Sequence, residues 1–249
     1  MTDAQQIADA LLPNIRPYIV LESQSPPHSI WLPGAIGTTS RTLDLLLHPW
    51  LTDRGEWRGR HPAIFIADDT IHEMVAAEVG NDRTKFAAIY DQAVAAVVCH
   101  EAGHISESQP DLSEPTAERR EFSEAIAAYS VAIADNSPWP PMFGHSAHFV
   151  RNAIHLAYRA NMLGYVFPIH MLYCGENYQI AEPENFQYLL GREALNLAGE
   201  SIFNIRTYRP PLNFVRLWQR CIRRWIDRQP AGAVGVETAL QLLDCDPWE

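Results

Sequence analysis

The stretch Val98-Cys99-His100-Glu101-Ala102-Gly103-His104 decides how this chain is read. It closes a run from Asp82 to about Ile105 in which Phe86, Ile89, Tyr90, Ala93, Val94, Val97 and Val98 recur at helical spacing, which predicts one long helix. Residues i and i+4 lie on one helical face, so His100 and His104 can both aim an imidazole at one metal ion. Glu101 stands about 100° further round the helix. It need not bind the metal, and it can act as general base toward a water at the open coordination position, whose pKa zinc lowers toward about 7. Two histidines and a glutamate at the end of so apolar a helix are costly unless they have partners.

Catalytic zinc sites usually take three protein ligands and a water. The third candidate is Glu124, in Glu121-Phe122-Ser123-Glu124-Ala125-Ile126-Ala127-Ala128. The polar, proline-containing loop Ser106–Thr116 is long enough to reverse the chain. A second helix, Ala117–Asp135, can then cross the first and present Glu124 to the metal. Its small and apolar neighbours favour burial, and a buried carboxylate needs a cation. The plainer role for Glu124 is an ion pair with Arg120. Glu121 and Glu118 are rival ligands in the polar first turns. Cys99, one residue before His100, points away from the His100/His104 face.

His100-Glu101-x-x-His104 followed by Glu124 resembles the gluzincin zinc metallopeptidases, the thermolysin-like branch of the zincins. The resemblance covers about 25 residues, roughly a tenth of the chain. It implies His100, His104 and Glu124 as ligands of Zn2+, Glu101 as the catalytic base, and a peptide or protein substrate lying along the edge of a sheet, for which Ala63–Ala67 is the candidate strand. Ala128 stands where that family places an aspartate that orients a zinc histidine, so the outer partners of the histidines must come from elsewhere. Glu107 and Pro110 occupy the positions where a metzincin needs glycine and histidine, which excludes that branch.

A third helix is predicted over Ser146–Leu163, with Ser146 as N-cap and Gly164 as stop. His148, Arg151, Asn152, His155 and Arg159 share one of its faces. All are possible donors to a developing oxyanion, with His148 or Arg151 the candidate. The plainer reading is a solvated face with one or two satisfied core histidines. Tyr129 is another candidate donor. His145 and His148 are a weak second metal pair.

The remaining sequence frames this site. The 249 residues carry 19 Lys and Arg against 30 Asp and Glu, a net charge of −11, which disfavours a nucleic-acid binder. Lys85 is the only lysine and stands in no Walker A context, excluding a P-loop nucleotidase. The arginine-rich helix predicted over Asn213–Arg228 is a possible seat for an acidic partner. Its plainer role is to pair with this chain's own carboxylates or with solvent. No apolar run suggests a membrane span, and Met1–Gln6 has no basic region of a secretory signal. Cys99, Cys174, Cys221 and Cys245 are far apart, which suits free thiols in a reducing, cytoplasmic setting.

Asp3–Leu12 reads as a helix. Tyr18–Leu21, His28–Leu32 and Ala63–Ala67 read as strands. Tyr165–Tyr208 has no clear pattern. The expectation is a single α+β domain over 1–249, mostly helical and zincin-like with a small N-terminal sheet. Residues 1–80 are its mixed part, 81–164 its metal-binding helical core and 165–249 its helical C-terminal part.

Overall fold

The computed structural model describes residues 3–24, 36–40, 47–107, 145–172 and 183–229, with single positions at 236, 239, 240 and 243. Helix α1 (Ala4–Leu11) starts where Asp3 accepts the backbone N–H groups of Gln5 and Gln6, and it buries Ile7, Ala8 and Leu11. Strand β1 (Tyr18–Leu21) follows, then β2 (Gly37–Ser40), α2 (Leu47–Asp53), β3 (Ala63–Ile66) and α3 (Asp68–Val79). Helix α4 (Arg83–Glu107) carries the histidine motif. It is followed by α5 (Ala147–Met162), α6 (Pro183–Asn196) and α7 (Leu212–Ile226), with short 3₁₀ turns at Ile169–Leu172 and Ile202–Thr207. The described chain is thus mostly helical with one small sheet, an α+β fold.

The sheet order is β1-β3-β2, with β1 parallel and β2 antiparallel to β3. This corrects the expectation that Ala63–Ala67 is the edge. Ala63, Ile64 and Ile66 are fully buried, and the strand pairs on both sides. Its continuous apolar run is the pattern of a central strand, and β2 is an edge among the described residues.

Helix α4 is the axis of the molecule. It packs on α1, α3, α5, β2 and β3. Its second half, from Val94 to Ser106, is buried almost all round, with only His100 and His104 half-exposed. A helix apolar on every side belongs inside a fold, so the motif is held rigidly between sheet and helices. Where α4 and α5 cross, Gly103 faces Phe149. A Cβ at Gly103 would lie 2.9 Å from the Phe149 ring, so glycine permits this close approach.

The strand expected over His28–Leu32 and the helix expected over Ala117–Asp135 lie outside the described residues. Ser146 and Gly164 delimit α5 as expected. Ser146 Oγ accepts the Phe149 N–H at 3.1 Å, and Gly164 has φ +92°. The unassigned region Tyr165–Tyr208 contains α6, whose pattern Gly191 interrupts.

Candidate metal centre

His100 and His104 come together from one face of α4, as their spacing requires. A third imidazole joins them from His145, just before the Ser146 cap of α5. One ligand atom from each of the three residues lies within 4.8 Å of the others. The Nε2 atoms of His100 and His145 are 3.1 Å apart. Two nitrogens bound to one tetrahedral zinc at about 2.0–2.1 Å stand roughly 3.3 Å apart, so this spacing suits a shared ion. His145, weighed from the sequence only as half of a second metal pair with His148, belongs to the first cluster.

The ring tautomers favour the same conclusion. His100 Nδ1 meets the Leu172 carbonyl oxygen, which can only accept, so Nδ1 carries the proton and Nε2 keeps its lone pair. Burial holds the His100 pKa down at about 4, against the opposing pull of the Leu172 carbonyl and the Glu107 charge. The ring is therefore neutral at physiological pH and able to ligate. His104 Nδ1 lies 3.4 Å from Glu107 Oε2. Glu107 Oε1 accepts the Ser146 hydroxyl at 2.6 Å. A chain of contacts thus runs from His104 through Glu107 to the residue beside His145. Glu107 and the Leu172 carbonyl supply the outer partners that Ala128 does not. Phe149 packs on all three rings, stacked on His104 at 4.2 Å and edge-on to His100 and His145 at 4.9 and 4.5 Å. The donor set of three imidazoles, with His100 held neutral, could bind a metal ion.

Substituting Ser146 by alanine removes both the helix cap and the Glu107 anchor. The expected result is a melting midpoint lower by about 2–4 °C, from a loss of about 1 kcal/mol. Zinc affinity should weaken about tenfold. Calorimetry and a competitive zinc titration check both.

The Glu101 carboxylate, one residue after His100, lies beside Gly37 of β2. It is 4% exposed, and burial pushes its carboxyl up to about 8. Strand β2 lies against it. A Cβ at Gly37 would stand 2.6 Å from both Glu101 Oε1 and Val97 Cγ1, so only glycine fits over this carboxylate without displacement.

The polar stripe of α5 has a different role from the one expected. Arg151 is fully buried. Its guanidinium pairs with Glu193 on α6 and donates to the Tyr208 carbonyl at 2.8 Å. Asn152 donates to the Ser106 hydroxyl at 3.0 Å and the Ser106 carbonyl at 3.3 Å. His155 Nε2 is 3.3 Å from Glu193 Oε2, and Arg159 donates to the Leu197 carbonyl. This corrects both the candidate oxyanion role of Arg151 and the solvated-face reading. The stripe is a buried polar seam joining α5 to α6 and to the end of α4. His148 is half-buried on the first turn of α5.

Glu124, Tyr129 and their segment lie outside the described residues. Cys99 is buried and takes no part in the cluster, and burial raises its thiol pKa. The sequence does not mark Glu107, Phe149, Gly37 or the Leu172 carbonyl as parts of the site, and it marks Ser146 only as a helix cap. Glu107 was the most accessible of them, since a carboxylate three residues after His104 shares its helical face.

The chain matches no protein-family model, no curated protein and no solved structure. Among the described residues, no helix is long and apolar enough to cross a membrane.

Proposed function

We propose that this chain is a zinc-dependent metallopeptidase of zincin-like architecture, acting on a peptide or protein substrate. The observation that carries the reading is the convergence of His100, His104 and His145 beside a buried Glu101 on the most enclosed helix of the fold. The three histidines are the proposed ligands. Glu124, the third ligand implied by the resemblance, is the competing candidate. Zn2+ held there would supply Lewis acidity, acidifying water and polarising the scissile carbonyl.

The protein's own groups do the rest. Glu101 takes the proton of the attacking water on its carboxylate and passes it to the leaving amine. Gly37 fixes the position of that carboxylate. Glu107 and Leu172 hold the imidazoles in the ligating tautomer. His148, one helical turn beyond His145, is the proposed donor to the oxyanion. The buried Cys99 thiol fits a reducing cytoplasmic location.

The test is cleavage of unfolded protein substrates by the zinc-loaded chain, blocked by a chelator and restored by zinc. No cleavage across a broad peptide and protein screen would overturn the peptidase reading. Gly37→Ala sharpens it. Zinc content should hold while turnover drops at least tenfold, because the added methyl displaces Glu101, at a stability cost of about 1–3 kcal/mol. Equal activity in the variant would show that Glu101 needs no such positioning.

The close cover of Glu101 by β2 favours one other reading, a structural metal centre in a binding protein. A fourth protein ligand and no exchangeable water on the metal would support it.

A further inference from the structure

Residues 201–226 contain Arg206, Arg209, Arg216, Arg220, Arg223 and Arg224 and no acidic residue, in a chain where acids outnumber Lys and Arg by 30 to 19. Arg216, Arg220 and Arg223 line one open cavity of about 560 Å³ together with Leu189, Asn213 and Gln219. They stand at i, i+4 and i+7 on α7, so they share a face and span about 10.5 Å along the axis. Phe214, Leu217, Trp218, Cys221, Ile222 and Trp225 bury the opposite face, which fixes the helix so that the arginines point outward. Among the described residues, no carboxylate forms an ion pair with any of the three. Of the two plainer roles expected for them, pairing with the chain's own acids is not seen there, and exposure to solvent is. Like charges at these spacings destabilise a helix, so this face carries a standing repulsion that a bound anion would relieve.

We propose that this cavity binds a compact oligophosphate, either a free polyphosphate chain or the phosphates of a nucleotide. Three guanidinium groups within about 10.5 Å call for dense negative charge. Each internal phosphate of such a chain carries about −1 and the terminal one about −1.5 to −2, and each accepts bidentate hydrogen bonds from arginine. An extended acidic peptide presents one carboxylate on a given face only every two residues, or about 6.6 Å. A long nucleic acid must approach a protein of net charge −11. The cavity volume falls in the usual range for small ligands, about 300–1,000 Å³. Asn213 and Gln219 add neutral amide donors at its rim. The inference is independent of the histidine cluster.

The experiment is isothermal titration calorimetry of the full chain, without added metal, in 0.15 M salt (about physiological ionic strength). The probes are inorganic triphosphate, adenosine triphosphate, sulfate, a single-stranded oligonucleotide and an oligoglutamate peptide. Triphosphate should bind one to one. Arg220→Gln should weaken it at least tenfold, and the triple variant Arg216→Gln, Arg220→Gln, Arg223→Gln should abolish it. The triple variant should fold normally, since all three side chains are exposed; an unchanged circular dichroism spectrum checks this, and Arg220→Gln alone decides the matter otherwise. Equal affinity for the two triphosphates assigns the site to phosphate alone, and tighter binding of the nucleotide assigns it to nucleotides. Three results would overturn the proposal: triphosphate binding no tighter than sulfate, tighter binding of the oligonucleotide or the acidic peptide, or loss of triphosphate binding in His104→Ala, which would place the anion at the histidines.

Discussion

Glu101→Gln should retain the fold and the zinc content of the wild type while its turnover falls by about 10²–10⁴, the usual contribution of a positioned general base. The substitution keeps the shape of the side chain under β2 and removes only its ability to take a proton. A truncation would be less informative, because a hole beneath Gly37 would let the strand settle and mix packing effects with chemistry. The comparison therefore rests on turnover at matched metal loading. Full activity in a zinc-loaded Glu101→Gln protein would place the base elsewhere and remove the main chemical reason for reading the α4 motif as hydrolytic.

The largest effect on stability should come from Glu193→Ala. Arg151 is wholly buried, and among the described residues Glu193 is its only carboxylate partner, holding it through two nitrogens while also facing His155. Removing the glutamate leaves a buried guanidinium with the Tyr208 carbonyl as its remaining acceptor. Breaking a buried pair in this way costs about 3–5 kcal/mol, a large part of an ordinary domain's stability. Equilibrium denaturation checks it, and a loss below about 1 kcal/mol would mean that the seam is dispensable.

The same seam sets an acid sensitivity with a definite sign. Burial lowers the His155 pKa below its ordinary 6.5, outweighing the opposing pull of Glu193. For Glu193 burial acts to raise the pKa, but the bonds from His155 and Arg151 prevail and hold it below the ordinary 4.5. In both cases the unfolded chain binds protons more readily than the folded one. The contribution of these two groups is therefore full above about pH 6.5. It falls on acidification as unfolded His155 is protonated, and falls again below pH 4.5 as the Glu193 contribution is lost. Buried Glu101 acts in the opposite sense between pH 4.5 and about 8, so the share of the seam is read as the difference in melting midpoint between the wild type and Glu193→Ala at pH 7, 5.5 and 4, which should shrink at the lowest pH. In Glu193→Ala the step below pH 4.5 should be smaller.

What the sequence revealed follows from the range of the interactions involved. Helix α4 and the shared face of His100 and His104 depend on neighbours within one turn, and periodicity reports them directly. Ser146 and Gly164 are likewise local signals, and both delimit α5 as read. His145 was harder to place. It reaches the cluster only because α5 crosses α4 where Gly103 admits Phe149, and nothing within a few residues of His145 records that crossing. Glu193 lies 42 residues beyond Arg151 in the sequence, so a buried seam looked like a solvated stripe. Strand β2 was missed because Gly37-Thr38-Thr39-Ser40 has no apolar alternation; its backbone pairing with β3, and not its side chains, makes it a strand. Glu124 falls outside the described residues, so its claim on the metal passes to experiment.

That claim and the claim of His145 are separated by elemental analysis of the purified protein beside His104→Ala, His145→Ala and Glu124→Ala, each checked for folding by circular dichroism. The three-histidine centre predicts about one zinc per chain in the wild type, following the stoichiometry of a single such site. It predicts loss of that zinc in His104→Ala and His145→Ala, and its retention in Glu124→Ala. A wild type that holds no zinc after reloading, or a His145→Ala protein that keeps its full complement, would contradict it.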